Sequence, residues 1–421
     1  MTRDSSSFAD IAHQALSFSP AVPSQDIVLK LISTRWVQRL RDVSQTANTR
    51  LVYMFSEHSR FGHSLGVAYL AETLMNHLAL DHGAEVAKYR SAIAAAALLH
   101  DIGHMAPGSH TAYKAWFPGQ EDKHEEFSAT IIRKDPEIQK ILGAELSAST
   151  ISILNKESNV PPWTWEMISG GGWNVDRGNW CIVDSIMAGV QYGKYNIPAL
   201  TDSIVITSDG HLALKENRLD AMMHFAVSRH AMYRQIYQHR VILAADMLNK
   251  AIVQRARDLQ IKGVFADPQM EHALSAKSPQ ALTIEDVFQM REPWWRYHLL
   301  RWSSSPDNVL ADLADRLLHR RLLKTIRVEN GEEFAELRSR AEEAVRKAGF
   351  DPRYYLHEIS TLDTQAGDLE QSMGVMLDNG KTKALSDADP LFNTLLRETK
   401  QSQKRWLALP AEAKAALGRA R

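Results

Sequence analysis

"AAAALLHDIGHMAPGSH", residues 94–110, is the stretch on which the reading of this chain turns. From Ala94 to Leu99 it is apolar on every side, which marks a buried helix, and it runs without a break into His100, Asp101, His104 and His110. Adjacent residues on a helix splay about 100° apart, so His100 and Asp101 can reach one ion from two sides. Gly103 follows closely, and the exposed carbonyls of a helix end favour a cation there. Imidazole and carboxylate together suit a divalent transition metal: Fe, Mn, Zn, Co or Ni.

Working outward, His63, Val67, Leu70 and Leu74 recur at helical spacing, so His63 lies on an inward face. "KHEEFSATIIRK", residues 123–134, begins a helix for which Asp122 is the expected N-cap and Glu125 the capping-box partner, with His124 in its first turn. "NVDRGNWCIVD", residues 174–184, sets Asp176, Trp180 and Asp184 at i, i+4 and i+8 on one helical face. A His-Asp pair alone is a weak signal. An inward His, a buried His-Asp, further histidines and aligned inward carboxylates together point to a metal, because unpaired buried charge is costly.

The rest of the chain sets limits. With 421 residues and 44% hydrophobic content it can bury a large core, and 49 basic against 50 acidic residues leave no global field for polyanions or anionic membranes. The single cysteine, Cys181, excludes an internal disulfide framework and suits a reducing compartment. The amino terminus has no apolar signal core and the apolar run around Ala92–Leu99 is too short to span a bilayer, so the cytoplasm is the expected location and no membrane the expected partner. "SIVITSDGHLALK", residues 203–215, reads as a β-hairpin about Ser208-Asp209-Gly210. Helical patterning resumes from about Leu219 through Leu259 and again after residues 303–308. The expected organisation is a flexible arm over 1–26, a helical domain over 27–328 and a mostly helical C-terminal region over 329–421.

The successive stretches "SRFGHSLGVAYLAETL", "LLHDIGHMAPGSH", "KHEEF", "NVDRGNWCIVD" and "SRHAMYRQIYQHR" resemble the motifs of the HD-domain deoxynucleoside triphosphate triphosphohydrolases, in the same order and with similar spacing from about Ser33 to about Val328. The likeness is closest to the branch that carries a sterile alpha motif, which is absent from this sequence. It implies a mainly α HD-domain fold with a small β-hairpin and a helical C-terminal region. It implies metal ligands at His63, His100, Asp101 and Asp176, with Asp184 at the sugar. Arg60, Arg177 and Arg229 match phosphate-binding cations; His104 and His110 match histidines that bracket the α-phosphate; and His124 matches the general acid. Gln45, Thr46, Trp180 and Tyr237 fall at the deoxyribose, and Gln38 and Arg41 at an activating-nucleotide site.

The implied activity is metal-assisted hydrolysis of dNTPs to nucleoside and triphosphate by a homo-oligomer, with Mg accompanying the triphosphate as an option. Three departures stand out. Tyr113 replaces an acidic residue paired with the catalytic histidine, Thr46 replaces a Leu that crowds the ribose 2′-hydroxyl, and Ser33 replaces a guanine-reading Asp. The alternatives are an HD-type nuclease, a ribonucleotide phosphohydrolase, and a catalytically silent nucleotide-binding scaffold. The Trp-rich segments at 161–165 and 291–302 would suit a nuclease by stacking bases, but are more often core, so nucleic acid is the less favoured partner.

Overall fold

The computed structural model describes residues 5–108, 110–120, 122–260, 263–328, 331–361, 373–401 and 404–417. Where a loose arm is expected, the chain forms a hairpin: β1 (Ser6–Asp10) pairs antiparallel with β2 (Gln14–Phe18), from Ser6 opposite Phe18 to Asp10 opposite Gln14. The Ser-rich composition hides a period-2 pattern in which Leu16 and Phe18 point inward, 2% and 1% exposed, while Ser17 faces out. Two helices follow, α1 (Pro23–Ile32), with proline in its first turn, and α2 (Arg35–Arg39), whose N-cap Thr34 accepts from Val37 N–H.

Next comes α3 (Arg60–Leu99), 40 residues long, interrupted at His82, where the backbone leaves helical geometry (φ −126°, ψ 37°). His63 and His100 are 37 positions apart in the chain, and a straight helix would separate them by about 55 Å. Their rings are 5.3 Å apart. The unit is therefore a helical hairpin folded at His82, and the Arg90–Glu72 ion pair at 2.6 Å joins its two arms in the same register. Ala94 to Ala97, all fully buried, let the returning arm approach closely. The inward stripe of the first arm holds as expected: His63, Val67, Leu70 and Leu74 are each at most 1% exposed.

After α4 (His110–Trp116), α6 (Pro136–Leu154) packs against this hairpin and α5 (His124–Lys134) against α6, while α7 (Pro162–Ser169) meets the returning arm at Glu85 and Tyr89 and α8 (Val175–Met187) the first arm at His63 and Gly66. After α9 (Ile197–Thr201) the hairpin expected at 203–215 is present as β3 (Ile204–Ile206) and β4 (Leu212–Lys215), antiparallel. The continuous helix expected from 219 to 259 is broken: α10 (Leu219–Met232) passes into a π-helical turn, Tyr233–Tyr237, before α11 (Arg240–Asp258). A π turn adds a residue to the helical circuit and redirects the side chains that follow.

The C-terminal region is helical only in part. Strand β5 (Lys324–Val328) pairs with β9 (Arg405–Leu409), which pairs with β6 (His357–Ser360), and β7 (Gly374–Met376) joins β4 on one side and β8 (Thr382–Lys383) on the other. The 328/329 boundary thus runs through a shared sheet, and short β runs separated by long helices carry too little periodicity to announce that pairing. Among the described residues, no helix is long and apolar enough to cross a membrane.

Candidate metal centre and adjoining site

Two elements deliver four ligand-type side chains to one point: the start of α3 brings His63, the residues just past its end bring His100 and Asp101, and the first turn of α8 brings Asp176. His63 Nε2 lies 3.0 Å from Asp176 Oδ1 and 3.7 Å from Asp101 Oδ2. His100 Nε2 lies 3.3 Å from Asp101 Oδ1 and 3.6 Å from Asp176 Oδ1. Donors bound at about 2.1 Å to one ion sit about 3.0 Å apart at right angles and about 3.4 Å apart in a tetrahedron; the ligand atoms of His63, His100 and Asp101 cluster within 4.8 Å of one another, with Asp176 Oδ1 against both histidines.

The histidines are also oriented for it. His63 Nδ1 donates to Asn179 Oδ1 at 2.9 Å and His100 Nδ1 to the Ala97 carbonyl at 2.8 Å, so both Nε2 atoms carry lone pairs turned inward. Both are buried and face the carboxylates of Asp101 and Asp176. Burial alone would hold His100 neutral, but Asp101 and Asp176 raise its pKa to about 9, a measure of how strongly this pocket favours positive charge. Burial would raise the carboxyl of Asp176, yet the hydrogen bonds and charges of His100 and His63 hold it far below the usual carboxylate range. The residues present therefore fit a divalent metal.

Beside this cluster, Arg60 Nη1 donates to Asp101 Oδ2 at 2.6 Å, both groups buried, so this cation braces a ligand-type carboxylate. The His104 ring stacks on that of His124 with centroids 3.8 Å apart, and His104 Nε2 reaches Asp101 Oδ1 at 3.3 Å. The two imidazoles are electrostatically opposite. Burial, Arg60 and His124 push His104 well below its ordinary pKa, with Asp101 opposing. His124 resists the same burial and is raised, because Asp122, Glu125 and Asp101 favour its charged form.

Asp122 is not the expected N-cap of α5. That position is Lys123, and the Asp122 carboxylate instead wraps back to accept from both the backbone N–H and Nδ1 of His124, each at 3.0 Å. An aspartate one residue early is too short to span to the third turn position, but well placed for its neighbour's ring. Tyr113, where an acidic partner is expected, is buried; burial, Asp122 and Glu126 raise its hydroxyl further above the usual phenol range. The side chain of His110 lies outside the described residues.

Close packing holds the His-Asp loop to α5. Ser128 Oγ bridges Gly103 N–H and the His100 carbonyl, and a Cβ at Gly103 would stand 2.1 Å from the His124 carbonyl, which requires glycine there. Arg39, 2% exposed, donates to the carbonyls of Ile102 and His104 and to those of Val287, Phe288 and Met290, pinning the loop to the segment before Arg291.

A second group lies along α8. Asp184 Oδ1 is 2.7 Å from His58 Nε2, its Oδ2 accepts from the Tyr237 hydroxyl at 2.5 Å, and Trp180 packs edge-on against Tyr237 at 5.4 Å. The π turn aims Tyr237 at Asp184. Nearby, Gln45 donates its backbone N–H to the His58 carbonyl. Gln45 Oε1 and Thr46 Oγ1 are buried without partners. The Arg229 guanidinium lies 4.8 Å over Tyr233 with Nε and Nη2 buried and unpartnered. Arg177 instead caps the loop before α8, donating to the carbonyls of Gly170 and Gly172. Gln38 and Arg41 meet each other, with Arg41 Nε donating to Gln38 Oε1 at 2.9 Å and its guanidinium 3.6 Å over the Phe61 ring.

His58, Asn179 and Arg39 belong to this arrangement, and pattern reading misses all three. His58 sits in a loop, with no period to flag it. Asn179 shares α8 with the expected residues but carries no charge. Arg39 looks like one of several surface cations.

A buried His and His-Asp with a partly exposed Asp on a helical frame defines an HD-type centre. The HD-domain family model matches residues 60–163, and the chain carries an HD domain. Over 394 residues it is 28% identical to the uncharacterized protein YwfO of Bacillus subtilis, covering 90% of this chain and 87% of that one. It is 23% identical over 302 residues to the deoxynucleoside triphosphate triphosphohydrolase SAMHD1 of Mus musculus, covering 61% of this chain and only 45% of that protein's length. Among solved structures, a phosphohydrolase from Bacteroides thetaiotaomicron shares the fold, with a TM-score of 0.80 at 22% identity over 96% of this chain and 99% of that one.

Proposed function

We propose that the protein is a metal-dependent phosphohydrolase that cleaves deoxynucleoside triphosphates to nucleoside and triphosphate. The observation that carries this reading is the juxtaposition of the His63, His100, Asp101 and Asp176 cluster with the stacked His104–His124 pair, whose surroundings push the first ring toward its neutral form and the second toward its charged form. A divalent ion on the four ligands would polarise a phosphoryl oxygen and acidify a water molecule. His124, charged through Asp122, donates its proton to the departing nucleoside oxygen, while neutral His104 fixes its ring plane by stacking. The Arg229 guanidinium, whose Nε and Nη2 are buried without partners, is suited to a polyphosphate oxygen. Asp184, held between His58 and Tyr237, supplies an acceptor for a sugar hydroxyl.

The dNTP assignment is supported by the alignment with SAMHD1 and by the motif order. A ribonucleotide substrate is the second reading, favoured by one observation: Thr46 Oγ1 is buried without a partner where an added 2′-hydroxyl would have to fit. On the first reading the enzyme works on free nucleotides in the cytoplasm as a homo-oligomer, and Gln38 with Arg41 contacts an activating nucleotide. Incubating metal-loaded protein with each dNTP and NTP and separating the products tests it. Intact triphosphate released in one step from dNTPs is expected; stepwise diphosphate and monophosphate nucleotides would refute it.

A further inference from the structure

The tip of the N-terminal hairpin reaches toward the metal centre. Asp10 Oδ1 accepts from the N–H groups of Ala12 and His13 at 2.8 and 2.6 Å, which fixes the tip, and the His13 ring packs against Tyr69 of α3 with centroids 5.3 Å apart. Phe18 packs on the same Tyr69 edge-on at 6.3 Å, anchoring the hairpin to the arm that carries His63. His13 Nε2 meets Asn179 Nδ2 at 3.3 Å, and Asn179 Oδ1 is the acceptor for His63 Nδ1.

The chemistry of this chain of contacts has one consistent direction. For His63 Nε2 to hold a lone pair toward a metal, Nδ1 must carry the proton. The Asn179 amide must then present its oxygen to His63 and its NH2 group to the other side, where it needs an acceptor. His13 Nε2 is the acceptor it meets. With the amide reversed, NH2 would face N–H, donor against donor. Gly66 makes the arrangement possible, since a Cβ there would stand 2.2 Å from Asn179 Nδ2.

We propose that His13 is a positioning residue of the metal centre, selecting the orientation of the Asn179 amide and through it the ligand tautomer of His63, so that the N-terminal hairpin is a working part of the site. The proposal rests on the metal-centre reading above.

The test is a cobalt titration of the metal-stripped full chain, read by the visible ligand-field absorption of bound Co²⁺, with thermal melting of each metal-free variant as a fold control. His13→Phe keeps the aromatic packing but offers no acceptor, and should weaken cobalt binding by roughly tenfold or more, in line with the 10–100-fold typical of outer partners of metal-bound histidine. His13→Gln offers an amide oxygen and should stay within about threefold of wild type, well inside that range. Gly66→Ala would press a methyl group on the same amide and should weaken binding as His13→Phe does. Wild-type affinity in His13→Phe or in Gly66→Ala overturns the proposal, as does equal weakening by Phe and Gln at position 13. A wild-type chain that binds no cobalt overturns the metal reading itself, a result distinct from the others.

Discussion

Replacing Asp122 with Asn tests the acid role of His124 most directly. Asp122 Oδ1 sits 3.0 Å from His124 Nδ1 and is the foremost of the groups that raise the pKa of this imidazole against its burial. The carboxamide of the variant keeps an oxygen to accept from Nδ1–H but loses the charge, so the pKa of His124 should fall. The sign follows: a raised pKa keeps the acid form populated to higher pH, and activity requiring it falls as pH rises through the shifted value. In Asp122→Asn the alkaline limb of kcat should move to lower pH, with activity lost above both limbs, by roughly tenfold or more toward the 10²–10⁴-fold that a general acid supplies, and near-parity below both. The assay is a pH–rate profile with saturating dATP and fixed metal, with Glu125→Gln, a lesser contributor, expected to move the limb less. An alkaline limb that stays in place in Asp122→Asn would refute the assignment of His124 as the charged donor.

Other outcomes follow from the geometry. Asp176→Ala and Asp101→Ala should each abolish stoichiometric metal in the purified protein, read by elemental analysis, whereas Asp184→Ala should retain it and raise KM. Arg39→Met leaves buried carbonyls of the His104 loop without a donor and should cost roughly 3–5 kcal/mol in denaturant unfolding, the scale for breaking one side of a buried polar network. Tyr237→Ala should collapse the dATP-over-ATP ratio of kcat/KM and Thr46→Leu should sharpen it, each by roughly tenfold to a hundredfold, since a wall that merely crowds a hydroxyl discriminates by about 10². A wild type that prefers ATP would move the protein to the ribonucleotide reading.

The parts of the site that are legible in the sequence are those carried by helical period. His63 belongs to an apolar stripe, His100 and Asp101 end a run that is apolar all round, and Asp176, Trp180 and Asp184 share a face; all of them lie where those periods put them. The fold-back of α3 is not legible, because one non-helical residue at His82 breaks no hydrophobic pattern. The π turn at Tyr233–Tyr237 changes the circuit by one residue and leaves composition untouched. The N-terminal hairpin reads as an arm because serine content outweighs the Leu16 and Phe18 alternation. His13, Asn179 and Arg39 act through contacts between distant segments, which local periodicity does not encode.

The helical hairpin of α3 also bears on how the centre assembles during folding. Three of the four ligand-type residues come from the two ends of one continuous unit, so bringing them together closes a single loop of 37 residues, from His63 to His100. The entropic cost of loop closure grows only with the logarithm of loop length, but each separate closure must be met before its contacts form. His63, His100 and Asp101 can thus meet through one local helical pairing, with relatively low contact order, before the more distant α8 delivers Asp176. On the metal reading, an ion would find three of its four ligands preassembled on this hairpin and be held once α8 docks, which would couple metal capture to the docking of α8.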